Sequence, residues 1–327
     1  MIRRQILMLL AVAGLVSCAS SSDYDTSASR ALPRGHYSGN EIGPSPVGAI
    51  PDIALRDGER NKDLVITIEY PTRGGPHPAI VFSPAFGGTN RSYIGLSSYW
   101  ASNGYVVVRV NHSDRGSVDA QTATDWQNRA RDVASVLGSF VSLEQRYPEL
   151  QGKIDATKIA VAGHGYGAQT ALLAAGDPRV KAVVAMVPDA RSVTIAELMK
   201  PALFITSMPD ALHPDTEAYA LAPSGDKWLI SIEGAQAPAF TGRFDAFTEA
   251  QAREAARNDP MVDPMTGRQR EVRASRVQSA MLRTQEMFGV VRGTALAFFD
   301  AYLKGDAEGR TALEKAGERR GVHVEHK

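Results

Sequence analysis

The chain holds a single cysteine in 327 residues, so no disulfide can form within it and its stability must come from a packed core. Charge of either sign is missing in net terms. Lys+Arg and Asp+Glu are 36 each, which gives no basic excess for nucleic acid and no acidic, solvating tail. No His, Cys, Asp and Glu cluster has zinc-ligand spacing, and neither a P-loop nor a dinucleotide fingerprint occurs, so no cofactor or metal is implied. Long apolar runs are also missing. The run Ile6–Val16 is too short to cross a bilayer as a helix. With 43% hydrophobic and 22% charged residues, what remains is an ordinary globular composition.

The N-terminus reads as a targeting segment. Arg3 and Arg4 precede the Ile6–Val16 run, as in a signal peptide over residues 1–17. The run ends in Leu15-Val16-Ser17-Cys18, which resembles the bacterial lipobox. That resemblance implies that Cys18 is lipidated and anchors the protein to a membrane in the cell envelope. Ala19 rather than an aspartate follows, which resembles the sorting pattern for the outer membrane. Residues 18–47 are rich in Ser, Gly, Pro and Asp and read as a tether. The folded domain is expected over 48–327, and oligomeric state has no signature in it.

Beyond the tether, apolar strands alternate with helical periodicity. Leu64–Tyr70, Pro78–Ser83, Tyr105–Val110, Lys158–Gly163, Val180–Val187, Pro201–Ser207 and Trp228–Ile232 are short and rich in β-branched residues. Helices are predicted at Ile94–Ser102, Ala120–Leu143, Tyr166–Ala175 and Gly293–Lys304. Repeated βα units of this kind imply an α/β fold, a doubly wound and mostly parallel sheet with helices on both faces. The charged stretch 245–285, broken at Asp259-Pro260 and Asp263-Pro264, reads as a solvated helical insertion or a lid.

Strand Lys158–Ala162 runs into Gly163-His164-Gly165-Tyr166-Gly167 and then a helix. This is the context of the nucleophile elbow G-x-S-x-G, with glycine at the centre instead of serine. Alone, the pentapeptide also fits a glycine-rich, phosphate-binding βα turn. Four further segments join it. Ser83-Pro84-Ala85-Phe86-Gly87-Gly88 follows one strand, and Asn111-His112-Ser113-Asp114 follows another. Asp210 lies just past Pro201–Ser207, and Glu233-Gly234-Ala235-Gln236-Ala237-Pro238 follows the strand that begins at Trp228.

Together these resemble the α/β-hydrolase superfamily, in particular dienelactone-hydrolase-like and platelet-activating-factor-acetylhydrolase-like esterases, with cutinases as cousins. The resemblance implies an α/β-hydrolase fold and a serine, acid, histidine order along the chain. It puts the nucleophile position on Gly165, the acid on Asp210 and the base on Ala237. The oxyanion donors fall on the backbone N–H groups of Phe86 and Tyr166, with Gly163, His164 and Gly167 forming the elbow. Two of three triad positions therefore lack their functional groups. The expectation is a non-catalytic hydrolase fold that binds a small ester, a lipid or a partner. The alternatives are an ester hydrolase working through a non-standard base, for which His213, His164 and His112 are candidates, and an esterase inactivated by these two substitutions. Ser83 and Ser113 are hydroxyls near the same edge without an evident base.

Overall fold

The computed structural model describes residues 35–113, 123–188, 195, 198–208, 216–242 and 268–327. Among these residues nine strands form one sheet: β1 Val47–Asp57, β2 Lys62–Pro71, β3 His77–Ser83, β4 Val106–Asn111, β5 Ile154–His164, β6 Val180–Met186, β7 Ala202–Met208, β8 Lys227–Glu233 and β9 Val322–His326. Their order is β1-β2-β4-β3-β5-β6-β7-β8-β9. From β4 to β8 every pairing is parallel, while β1, β2 and β9 pair antiparallel at the two edges. The fold is the expected α/β-hydrolase architecture.

Alternation along the strands explains the two layers. Ala79, Val81, Val161 and Val183 face one core with Val133, Val136, Phe140 and Leu172. Ile80, Phe82, Ala162 and Val184 face the other with Leu96, Trp100, Leu296 and Phe299. The first core is covered by α2 Ala123–Gly138, α3 Phe140–Arg146 and α4 Tyr166–Ala174. The second is covered by α1 Ile94–Ser102, α6 Ala237–Thr241, α7 Arg268–Phe299 and α8 Ala307–Glu314, and the short α5 Glu217–Leu221 packs on the first.

Several boundaries differ from the sequence reading. The helix expected over 120–143 is two helices, because the chain turns at Gly138-Ser139, where the Ser139 hydroxyl bonds the Val136 carbonyl at 2.7 Å. β1 and β9 were not anticipated. β1 has a register shift between Ile50 and Ile53, with Asp52 at φ 51, which breaks its alternation. The last long helix begins at Arg268, not Gly293, and ends in a π-helical turn at Asp300–Lys304. Of the expected 245–285 insertion, 245–267 lie outside the described residues.

Gly289 and Gly293 sit inside α7 for a packing reason. Residues 35–46 form a strap, of which Tyr37 to Asn40 run against this helix, and a Cβ on Gly293 would stand 2.3 Å from the Tyr37 carbonyl oxygen. Gly293→Ala improves helix propensity by about 1 kcal/mol but collides with that strap. The expected result is faster amide exchange over residues 37–43 with exchange of the helix itself unchanged. Identical strap protection in both proteins would contradict this account.

Candidate functional site

The elbow joins β5 to α4 at the carboxyl edge of the sheet. Gly165 takes φ 53 and ψ −120, just before the helix begins at Tyr166. For any other residue this left-handed region is strained by on the order of 1–3 kcal/mol. Its neighbours need glycine for space. A Cβ on Gly163 would fall 2.0 Å from the Gly167 carbonyl oxygen, and one on Gly167 would fall 2.0 Å from the Ser83 carbonyl oxygen. At Gly165 itself a Cβ would meet only the Ala85 methyl, at 3.7 Å. The nucleophile position therefore has room for a side chain and holds none.

The loop after β3 is pinned beside this tip from three directions. Pro84 gives its carbonyl to the buried Arg129 guanidinium at 2.9 Å. Ala85 donates its N–H to the Tyr93 hydroxyl at 3.3 Å, and that hydroxyl also bonds His164 Nδ1 at 2.8 Å. Ser83 anchors the third side through its hydroxyl, as described below. Phe86 then lies edge-on to Tyr166, with ring centroids 5.8 Å apart. The two residues expected to lend oxyanion N–H groups are thus neighbours, one on the loop and one at the first turn of α4. Trp126 packs on the Tyr166 ring at 5.1 Å, and the Arg129 guanidinium lies 5.0 Å from its centre.

Ala237 opens α6 and is exposed. Phe240, one turn on, stacks on His164 at 5.4 Å, which brings α6 to the elbow. The Ser207 hydroxyl ties the end of β7 to the Ala235 carbonyl at 2.7 Å. The end of β7 is thus joined to the segment that leads to Ala237, the expected base position. Asp210, His213 and Cys18 lie outside the described residues. His164 is turned to Tyr93 and Phe240 and is buried, which pushes its pKa down to about 4.

A second constellation was missed by sequence. The Ser83 hydroxyl bonds His112 Nε2 at 2.8 Å, and His112 Nδ1 bonds Asp132 Oδ2 at 2.8 Å. Asp132 also takes ion pairs from Lys62 and Arg60, each at 2.7 Å. Its carboxylate only accepts, so His112 donates from Nδ1 and its Nε2 accepts the Ser83 hydrogen. Ser83, read as lacking a base, has one. This is the hydrogen-bond order of a serine-hydrolase triad. It is sealed, however. Ser83 is 1% exposed and the His112 side chain 0%. It also lies on the wrong flank, since β3 and β4 stand on one side of β5 and β7 on the other. The signal in the sequence was charge on an apolar stripe. Arg129 and Asp132 share the α2 face with Val133 and Val136.

The PET hydrolase-like (PETase) family model matches residues 65–229, just over half of the 327. A cutinase of Thermobifida fusca (strain YX) is 27% identical over 250 residues, 71% of this chain and 80% of that protein. Cutinase est2 of Thermobifida alba is 29% identical over 186 residues, 54% of this chain and 59% of its own length. These matches fall on the cutinase side of the expected resemblance.

Two buried histidines set the pH response. Burial, then the Arg129 charge, lowers His112 to about 3 despite Asp132, and burial lowers His164 to about 4. An unfolded histidine titrates near about 6.5, so below that pH the unfolded chain binds protons the folded one refuses. Stability is therefore complete above about pH 6.5 and falls toward pH 4 by about 1.4 kcal/mol per unit for each histidine. Urea unfolding across that range should show this slope, reduced by one proton in His164→Gln. A flat profile from neutral pH to 5 would contradict the burial of both rings.

Proposed function

This chain belongs to the PET hydrolase-like family, and within it we propose a non-catalytic member, an envelope lipoprotein that binds an ester or lipid carbonyl without cleaving it. The observation that carries this reading is Gly165. The elbow keeps its backbone form, and no oxygen stands at its tip. Acyl transfer needs a nucleophile, a base bonded to it and a group that orients the base. Glycine cannot be acylated, and Ala237 cannot take a proton. Loss of a triad nucleophile or base costs about 10⁶ in turnover, and loss of both adds little.

Binding needs less. The pinned 83–86 loop and the first turn of α4, whose Phe86 and Tyr166 rings meet edge-on, support a reading in which their backbone would cradle a carbonyl oxygen. The relatives are named for cutin and PET, both polyesters, which makes an ester the ligand class of choice. The lipobox at Leu15–Cys18 supports an acyl anchor at Cys18, and Ala19 supports retention at the outer membrane.

The relay at Ser83 favours one second reading, a hydrolase in which Ser83 attacks and His112 is the base. It would require the 84–88 loop to lift, since Ser83 is 1% exposed.

Both readings meet in one experiment. The mature protein should neither hydrolyse short-chain nitrophenyl esters nor react with a fluorophosphonate. Gly165→Ser with Ala237→His should create ester turnover, while each change alone should not, because the pair acts as a unit. Turnover or labelling of the unsubstituted protein that disappears in Ser83→Ala would replace the first reading by the second.

A further inference from the structure

We propose that the face formed by the strap 35–47 and the start of α1 rests on the lipid bilayer. The inference builds on the reading of Cys18 as an acyl anchor and adds the surface that meets the membrane.

The strap is fixed to the domain, not merely attached. The Tyr99 hydroxyl donates to the His36 carbonyl at 3.0 Å. Gly43 donates its N–H to the Ser102 hydroxyl at 2.8 Å, and Arg319 donates to the Tyr37 carbonyl at 2.8 Å. Arg292 Nε donates to the Gly39 carbonyl. The first described residues thus lie on the layer of α1, α7 and α8. Sixteen residues, 19–34, separate Cys18 from the first described residue.

The same strap leaves aliphatic side chains in solvent. Ile42 is 81% exposed, Val47 37% and Ile94, at the start of α1, 54%. Ile42 and Val47 line a groove of about 550 Å³ together with Pro44, Pro46, Gly95 and Tyr99. Ile94 directly precedes Gly95 at its edge. Buried packing gives no reason for three bare aliphatics here, since the core beneath is closed by Leu96 and Trp100, both 0% exposed. Arg292 also lines the groove, with its guanidinium over the Tyr99 and Phe288 rings. Apolar residues with a cation beside them suit the boundary between anionic headgroups and acyl chains. With the acylated Cys18 holding the chain to the membrane, such an apolar face would fix how the domain is oriented on it.

The test uses the full-length lipidated chain, whose sole cysteine is consumed by the anchor. Ile42→Cys, Ile94→Cys and Val141→Cys are each labelled with an environment-sensitive fluorophore. Val141 is 67% exposed on α3, on the opposite layer, and serves as the reference. The chains are bound to vesicles of equal parts phosphatidylethanolamine and phosphatidylglycerol. Emission at 42 and 94 should blue-shift and be quenched by spin-labelled lipid, and emission at 141 should do neither. An acylated, vesicle-bound chain in which 42 and 94 stay silent, or in which 141 responds equally, overturns the proposed face alone. A chain that carries no acyl mass and binds vesicles no better than Cys18→Ser overturns the anchor, and this inference with it.

Discussion

Backbone packed on backbone at the elbow is what the rest of the site depends on. Gly163 touches the Gly167 carbonyl, and Gly167 touches the carbonyl of Ser83. At those separations no side chain fits, so β5, α4 and the loop after β3 are locked in one relative position. That lock depends on the outer glycines and is indifferent to what stands at 165. Chemistry and scaffold are therefore separable here. The turn keeps its backbone geometry whatever residue stands at its tip.

Polar groups beneath the loop hold it in the same place. Ser83, Pro84 and Ala85 are bonded in turn by His112, Arg129 and Tyr93. The Asp132 carboxylate is compensated by Lys62 and Arg60 and bonded to His112, so this charge is not buried bare. A Ser–His–Asp chain can thus serve as a structural brace. What distinguishes it from a catalytic one is access, which neither the distances nor the residue types reveal. Glycine at 165 also avoids the strain that a serine would hold at φ 53.

Much of this was legible in the sequence. The parallel strands, the elbow and the loop at Phe86 were readable because periodicity and glycine spacing are local. The relatives found are cutinases within the same superfamily. The brace was not legible, because Ser83, His112 and Asp132 lie on three separate elements and only strand order brings them together. Asp132 could have been noticed as a carboxylate on an apolar helix face. The strap was hidden because its Gly, Ser and Pro composition resembles a tether, while its bonds to Tyr99, Ser102 and Arg319 are made by residues far along the chain. Gly293 misled for the same reason, since a glycine required by packing looks like a helix boundary.

The proposed cradle would bind an ester without cutting it. It is tested most directly by following the backbone amide resonances of Phe86 and Tyr166 while a short-chain ester is titrated into the mature protein. The account expects both to shift and saturate together, with the ester recovered intact at the end. Resonances that do not move, or an ester consumed during the titration, would contradict it.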